Sequence, residues 1–403
     1  MGKKTWSRLA ATVLLLYAGS VLAHLAWHPD LYQWDFKIYY YAAKAFAAGL
    51  NPYETANLLS LAPAAINPRL GFAYQPLTLY YFFPLLGLEF SAAYQAFLWG
   101  KVAALTGLFF LWRRWFLDPG HGVWLLLFMM VAFNNTVYAD LAAGNISVWE
   151  QAVLWPALLF FLRGHLGWFS LLIVLLASIK LVPLLLLGLL FLAEDRRRAY
   201  TCLALSGLGF AALAALSYLG HPSLFIHFLT QGQGMLAERG VINPSTLAFL
   251  TAGVTQAEKL MGFSFPGWTA FGLYAVAAAA VLTVSGWVLH LWQRAGHPDR
   301  DRVAVLFGCV VYALLAPRLK NYSYILLVAP AFFILWRSHL GATPYFLLTL
   351  MLFSPYPSLP GVEAIAAKLL PYYSLFLAYL VWGLYVRYIL QECRLTASPK
   401  NLL

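Results

Sequence analysis

Long apolar runs recur along the whole chain and are separated by short polar or basic stretches. Most of these runs are long enough for a helix that crosses or enters a bilayer. The pattern predicts an all-α polytopic membrane protein with about 12 transmembrane helices (11–13), built as a single domain over residues 1–403. The apolar runs lie at about residues 9–27, 72–88, 91–112, 122–140, 145–162, 166–179, 181–193, 200–219, 268–292, 303–317, 322–336, 342–354 and 372–390.

Composition and charge agree with this class. The chain is 62% hydrophobic and only 10% charged, far from the composition of a soluble domain. In a soluble protein its formal charge of +11 would suggest a nucleic-acid partner, but here the basic residues cluster in short loops, as the positive-inside rule requires. We therefore expect no nucleic acid and a multi-pass protein of the inner (plasma) membrane with both termini cytosolic. Its cysteines and histidines show no ligand spacing, so no metal site or cofactor is predicted.

Two segments leave the topology open. Residues 72–88 form either a full span or a juxtamembrane half-helix, and residues 166–193 form either two short helices or one long helix. Lys180 weighs on the choice, because a lysine in the middle of a helix at the bilayer centre is costly. We prefer two short helices joined by an outer turn at Lys180, together with a half-helix over 72–88. Every basic loop then lies in the cytosol.

The outer face collects the longer loops on this topology, chiefly residues 28–71 and 220–267. Asp35 follows the first span directly, and it reads either as a solvated interfacial acid or as a general base. The aromatic and small residues behind it fall at helical spacing, which predicts an amphipathic helix over 36–48 that lies on the membrane. Asp35 is therefore the leading candidate for a catalytic group.

Several outer basic residues oppose the positive-inside trend. Arg318 and Lys320 stand on a short turn, and Arg69 lies in the first outer loop. Phosphate binding is the natural explanation, because arginine offers a planar fork and lysine a point charge. Lys180 fits the same role, and its alternative is a side chain that snorkels to the interface.

Polar residues also interrupt two apolar stretches. Asp140 and Asn145 break a hairpin in which Gly144 is predicted to end a helix; a substrate contact is the alternative. The run Asn243-Pro244-Ser245 is predicted to cap the helix that follows it.

A set of short motifs follows one order along about residues 10–340: Asp35-Phe36, Tyr39-Tyr40, Ala42-Ala43, Gly49, Asn51-Pro52-Tyr53, Tyr74-Gln75-Pro76-Leu77, Gly144-Asn145, Lys180, Pro183, Asn243-Pro244-Ser245, Pro317-Arg318 and Tyr322. The ordered set resembles glycosyltransferase family 87, membrane mannosyltransferases of the GT-C superfamily. The chain departs from the usual pattern at Gln75, where the family has proline, and at Asn145, where it has glutamine.

The resemblance implies a GT-C-like fold and an inverting transfer of a hexose, typically mannose, on the non-cytosolic (periplasmic) face. The donor would be a polyprenyl-phosphate sugar and the acceptor a lipid-linked or cell-envelope glycan. Asp35 would be the catalytic base, and no metal or cofactor would be needed. We expect donor-phosphate contacts from Lys180, Arg318, Lys320 and Arg69. We expect sugar or acceptor contacts from Tyr39, Tyr40, Tyr74, Asp140, Asn145, Asn243 and Tyr322.

Two alternatives remain at this point. A transporter or flippase of lipid-linked glycans would need polar groups at mid-membrane, whereas the polar groups here cluster on one face. A GT-C enzyme of another type, with a pyrophosphate-linked donor, would share the architecture and differ in its donor chemistry.

Overall fold

The computed structural model describes residues 3–29, 31–62, 71–118, 121–338 and 369–397. The protein is 81% helical, and the described residues form no β-strand. Among the described residues, five helices are long and apolar enough to cross a membrane, and four shorter apolar helices accompany them. The prediction of an all-α polytopic membrane fold is confirmed, and the figure of about 12 spans stays a prediction. The five long segments are Phe90–Phe116, Gly122–Ala143, Arg196–Gly220, Thr269–Arg294 and Leu370–Leu395.

The chain divides into two compact units, of which the first contains Met1–Trp115, Pro119–Met130 and Val137–Met235. Its helices carry most of the candidate site. They are α1 (Lys3–Trp27), α2 (Trp34–Ala47), α3 (Thr55–Leu61), a 3₁₀ helix (Pro76–Gly87), α4 (Phe90–Leu111) with a π-helical end (Trp112–Phe116), α5 (Gly122–Ala143), α6 (Ser147–Leu162), α7 (Leu166–Ala177), a second 3₁₀ helix (Val182–Leu192), α8 (Arg196–Gly220) and α9 (Pro222–Met235).

The second unit contains Phe116–Asp118, Val131–Thr136 and Leu236–Leu403. Its helices are α10 (Thr246–Met261), α11 (Thr269–Arg294), α12 (Arg300–Leu315), a 3₁₀ helix (Asn321–Leu327), α13 (Val328–Arg337), a short 3₁₀ turn (Leu370–Tyr372) and α14 (Tyr373–Ala397). The apolar run predicted at 342–354 lies outside the described residues.

Both open topology questions have a structural answer. The segment 72–88 contains no α-helical span; it forms the 3₁₀ helix Pro76–Gly87, which begins with one proline and holds a second, Pro84. Proline lacks the N–H that an α-helix needs. The segment 166–193 is two short helices, because α7 ends at Ala177 and the next helix begins at Val182. Lys180 lies in the turn between them, and the alternative of one long helix is wrong.

The helix predicted over 36–48 is present as α2, but its surroundings differ from the prediction. Every residue from Asp35 to Ala43 is buried within the protein. The 3₁₀ helix Pro76–Gly87 packs along α2, and the Tyr40 hydroxyl donates to the carbonyl of Leu88 at 2.8 Å. The membrane-surface position expected for this helix is therefore corrected: neighbouring protein covers the face that the sequence pattern assigned to lipid.

Helix α5 is interrupted within its second-unit segment. Phe133, Asn134 and Asn135 all have left-handed backbone angles (φ 49°, 59° and 55°), which L-residues adopt at a cost in free energy. Two contacts hold the interruption in place. The Phe133 ring stacks on Tyr324 with centroids 5.7 Å apart, and the Thr136 hydroxyl donates to the carbonyl of Asn321 at 2.7 Å.

An ion cluster forms around Asp118 in the second unit, beside loops that the sequence assigns to the cytosol. Arg337 donates to both carboxylate oxygens of Asp118, at 2.8 and 2.9 Å. Arg302 contacts the same carboxylate at 3.3 Å. Asp299 accepts from both arginines, at 2.7 and 3.2 Å. Burial alone would raise the pKa of Asp118, but the hydrogen bonds and charges of Arg337 and Arg302 outweigh it and hold the pKa below its ordinary value.

This cluster predicts a pH-dependent contribution to stability. Because the pKa of Asp118 is lower in the folded protein, the cluster stabilises the fold at pH values above the ordinary aspartate pKa of about 4. That stability is lost as the pH falls through the lowered folded-state value. At pH 7 we expect Asp118→Asn to reduce the free energy of unfolding by about 1 kcal/mol. Thermal unfolding of the purified protein in detergent measures it.

Asp301→Asn is the matched control, because Asp301 is 58% exposed and its contact with Arg300 is 3.4 Å long. We expect almost no effect from that variant. Equal melting temperatures for Asp118→Asn and wild type at pH 7 would contradict the assignment.

Candidate active site

The turn between α5 and α6 is the centre of the first unit's polar site. Gly144 ends α5 in the left-handed region (φ 64°), as the sequence predicted for a helix C-cap. A side chain here would have no room: a Cβ on Gly144 would lie 2.7 Å from the Cβ of Phe36 and would overlap the Gln33 amide oxygen. The glycine therefore permits both the turn and the close approach of α2.

Gln33 fixes the start of α2 against the end of α5. Its backbone N–H donates to the carbonyl of Ala142 at 2.6 Å, and its side-chain amide donates to the carbonyl of Leu141. These carbonyls belong to the last turn of α5, where backbone acceptors lack helical partners. The first turn of α2, which carries Asp35, is thereby attached to the hairpin.

A fully buried ion pair holds the same turn in place. Lys101 of α4 and Asp140 of α5 lie 2.8 Å apart, and neither side chain is exposed. The Lys101 ammonium also donates to the backbone carbonyl of Asp140 at 2.7 Å. That carbonyl accepts from the N–H of Asn145 at 3.2 Å, and the carboxylate accepts from the N–H of Val148 at 3.3 Å. The contacts give Asp140 a structural role and leave it no accessible atom for a sugar.

Asn145 projects from this turn towards α2. Its amide nitrogen donates to Asp35 Oδ2 at 2.6 Å and to the Tyr39 hydroxyl at 2.9 Å. Its amide oxygen accepts from the backbone N–H of Ser147 at 3.0 Å and from the Ser147 hydroxyl at 2.9 Å. The two donors on Ser147 fix which end of the amide faces Asp35.

Asp35 occupies the first turn of α2, where the helix dipole favours a negative charge. Its side chain is buried, with 6% of the residue exposed. Asn145 holds one carboxylate oxygen, and the other accepts no hydrogen bond from the described residues. A carboxylate with one oxygen held and one available is the geometry that a general base needs.

Lys180 reaches the same turn from the loop after α7. Its ammonium donates to the Ser147 hydroxyl at 3.0 Å and to Glu150 Oε2 at 2.7 Å. The Lys180 side chain remains 21% exposed. An ammonium has three N–H donors, and two of them are used by described residues. The structure therefore connects Lys180 with Asp35 through Ser147 and Asn145.

Three predicted tyrosines lie around α2. The hydroxyls of Tyr39 and Tyr74 are 3.0 Å apart, and Tyr39 also accepts from Asn145. Tyr39 is thereby linked to the candidate base through Asn145, and Tyr74 is linked to it through Tyr39. Tyr40 faces elsewhere, since its hydroxyl donates to the carbonyl of Leu88.

The remaining predicted residues that the structure describes belong to the second unit. Asn243 joins two of its loops: the amide oxygen accepts from the N–H of Leu319 at 3.0 Å, and the nitrogen donates to the carbonyl of Glu238 at 3.1 Å. Arg318 pairs with Glu238 at 2.7 Å. The Lys320 ammonium lies 5.7 Å from the centroid of the Tyr322 ring.

The predicted helix cap at Asn243-Pro244-Ser245 is confirmed. The Ser245 hydroxyl accepts from the N–H of Ala248 at 3.3 Å and begins α10. It also donates to the carbonyl of Pro317 at 2.7 Å. The Asn-Pro-Ser motif therefore holds the turn that carries Arg318, which explains structurally why both stretches stand out in the sequence.

Sequence reasoning missed three residues of the first unit's site: Lys101, Glu150 and Gln33. The first two stand inside apolar runs, where an unpaired charge is costly, and that cost is the signal that could have found them. Gln33 carries no such signal. Arg69, predicted to bind phosphate, lies outside the described residues.

Comparison with known proteins gives one match. The sequence model of glycosyltransferase family 87 matches residues 72–317, which is more than half of the chain. No curated protein and no solved structure matches the chain.

The close approach at Gly144 predicts a severe effect of a single methyl group. Gly144→Ala combines a left-handed backbone with overlap against Gln33 and Phe36, so we expect it to reduce the free energy of unfolding by about 2–5 kcal/mol. Gly164→Ala is the matched control, since Gly164 has a similar backbone angle (φ 72°) and nothing within 4 Å of an added Cβ.

The control measures only the cost of a left-handed backbone for a residue with a Cβ, which is about 1–2 kcal/mol. Thermal unfolding in detergent and the yield of monodisperse protein measure both variants. Equal losses in the two variants would show that the contact with α2 contributes nothing.

Proposed function

The chain belongs to glycosyltransferase family 87, and we propose that it transfers a hexose, mannose by preference, from a polyprenyl-phosphate donor to a lipid-linked or cell-envelope glycan. Membership of the family makes the protein a membrane glycosyltransferase. The donor, sugar and acceptor are the proposal. So is the location of the site on the periplasmic face of the inner membrane, with both termini cytosolic.

One observation carries the proposal: the Asp35 carboxylate and the Lys180 ammonium are joined by hydrogen bonds through the turn between α5 and α6, and each keeps one atom available for a substrate. Asp35 has one oxygen without a partner among the described residues, and Lys180 has one N–H in the same condition. Glycosyl transfer from a phosphate needs both kinds of group. The base takes the acceptor proton, and the cation stabilises the leaving phosphate.

Asp35 and Lys180 account for the proton and the leaving group of the transfer. An acceptor hydroxyl oxygen attacks the anomeric carbon from the face opposite to the phosphate, so the C–O bond to the acceptor forms as the C–O bond to phosphate breaks. Asp35 receives the hydroxyl proton. The polyprenyl phosphate leaves with the bonding electron pair, and its developing negative charge lies against the Lys180 ammonium. Displacement from the opposite face inverts the anomeric configuration.

The aromatic residues suit a sugar at this position. Tyr39 and Tyr74 share a hydrogen bond, and Tyr39 contacts the amide that holds Asp35. Sugar rings bind through such combinations of an apolar face and a polar edge. The donor-phosphate roles predicted for Arg318, Lys320 and Arg69 stay predictions. Arg318 would have to exchange its contact with Glu238 for the phosphate.

A transporter of lipid-linked glycans is the competing function. A transporter would not need a buried carboxylate to accept a proton, and it would leave the donor intact. Release of polyprenyl phosphate by the purified protein in detergent, without a second compartment, separates a transferase from a transporter.

Asp35→Asn tests the base directly. The amide has nearly the same shape but accepts the acceptor proton poorly, so we expect the transfer rate to fall by about 10²–10⁴-fold with little change in thermal stability. A panel of radiolabelled polyprenyl-phosphate sugars, assayed for transfer to a glycan acceptor and for released polyprenyl phosphate, measures the rate and identifies the sugar.

The control for this variant is Asp301→Asn, the same chemical change at an exposed carboxylate of the second unit. We expect wild-type transfer from it. Wild-type turnover by Asp35→Asn would exclude Asp35 as the base and overturn the proposed mechanism.

Lys180 is best tested together with its partner, because Lys180→Met alone would leave Glu150 buried without its counter-charge. We expect the double variant Lys180→Met/Glu150→Gln to fold and to lose about 10²–10³-fold in kcat, since a charge on the leaving group loses its stabilisation. Lys259→Met, at an exposed lysine of α10, is the control. A double variant with undiminished kcat would remove Lys180 from the mechanism.

A further inference from the structure

Asn145 uses all of its hydrogen-bonding capacity within the protein. A side-chain amide offers two N–H donors and an oxygen with two lone pairs. Both donors are occupied, by Asp35 and Tyr39, and both lone pairs are occupied, by the backbone and hydroxyl of Ser147. With 2% of the residue exposed, the amide has neither a free position nor open surface for a sugar.

The orientation of this amide is fixed on one side only, by Ser147. Because both groups of Ser147 donate, they select the oxygen of Asn145 and direct its NH₂ group towards α2. The amide therefore presents donors to Asp35 and to Tyr39 at the same time. A carboxylate that receives such a donor is held in one rotamer.

The donors all run in one direction. The Lys180 ammonium donates to the Ser147 hydroxyl, that hydroxyl donates to the Asn145 oxygen, and the Asn145 nitrogen donates to Asp35. Each bond in such a chain polarises the next. A cation at one end and a carboxylate at the other match this polarity.

We propose that Asn145, locked by Ser147, is the positioning residue for the Asp35 carboxylate and that the Ser147 hydroxyl links this carboxylate to the Lys180 ammonium. The inference rests on the proposed role of Asp35 as the base. It assigns Asn145 to the orientation of the base and not to a sugar contact, the role expected from the sequence. When the donor phosphate binds at Lys180, the hydrogen bonds of Ser147 and Asn145 then transmit the change to Asp35, without contact between phosphate and base.

Two variants separate the parts of this chain. Asn145→Leu keeps a similar volume and removes the donor to Asp35. Ser147→Ala removes the hydroxyl link and keeps the Ser147 backbone N–H, which still orients the Asn145 amide. Steady-state kinetics with a polyprenyl-phosphate sugar give kcat and KM of each variant.

For Asn145→Leu we expect kcat to fall about 10–100-fold with donor and acceptor KM within about twofold of wild type, since a hydrogen bond to a charged group is lost and no substrate contact is removed. For Ser147→Ala we expect the same pattern, with a fall in kcat of about 3–10-fold and KM close to wild type.

The control substitution for the serine is Ser60→Ala, at an exposed hydroxyl that donates only within its own turn. It should leave both kcat and KM at wild-type values. Thermal unfolding of each variant in detergent shows whether the fold is retained.

A rise in KM with unchanged kcat in Asn145→Leu would identify a substrate contact and overturn the proposal. Unchanged kinetics in Ser147→Ala would overturn it as well, and this variant decides if Asn145→Leu does not fold. Wild-type turnover by Asp35→Asn would overturn the proposed function itself. Loss of activity in Asp35→Asn with wild-type behaviour in the Asn145 and Ser147 variants would overturn only the inference.

Discussion

The geometry of the first unit's site depends on the ion pair between Lys101 and Asp140. Both side chains are fully buried in an apolar bundle, where the cost of desolvation offsets much of the attraction between two charges. Such a pair contributes little net stability compared with apolar residues of the same size. Its effect here is positional: Asp140 receives Lys101, the N–H of Asn145 and the N–H of Val148, so the whole turn from α5 to α6 folds around one carboxylate and its carbonyl.

The rest of the site follows from that turn. Gly144 brings α2 into contact, and Gln33 holds it there through hydrogen bonds to the carbonyls of Leu141 and Ala142 at the end of α5. Asn145 and Ser147 then face Asp35 and Lys180 respectively. The two catalytic groups proposed for this enzyme, Asp35 and Lys180, therefore lie on different elements, and the stretch from Asp140 to Glu150 positions both.

The sequence predicted the features that depend on local chemistry. The C-cap at Gly144, the cap at Ser245 and the break at Lys180 each follow from backbone rules that act over a few residues. The charge partners were missed because they are distant in the chain: Lys101 and Asp140 are 39 residues apart, and Glu150 and Lys180 are 30 apart. A hydropathy pattern absorbs one lysine or glutamate into an apolar run. The burial of α2 was missed for a related reason, since aromatic residues at helical spacing fit a lipid surface and a protein surface equally well.

The charges around the turn explain why an amide, and not a cation, holds Asp35. Lys101 is balanced by Asp140, and Lys180 by Glu150. Asp35 is then the carboxylate of this group without a cationic partner in direct contact among the described residues. A lysine or arginine at position 145 would bind Asp35 as an ion pair, and the carboxylate would have to give up that pair before it could take a proton. A neutral donor fixes the geometry without an ion pair that has to be broken. The side chain that suits this position must therefore be uncharged, able to donate to a carboxylate, and able to accept from the following helix, and a side-chain amide meets all three conditions.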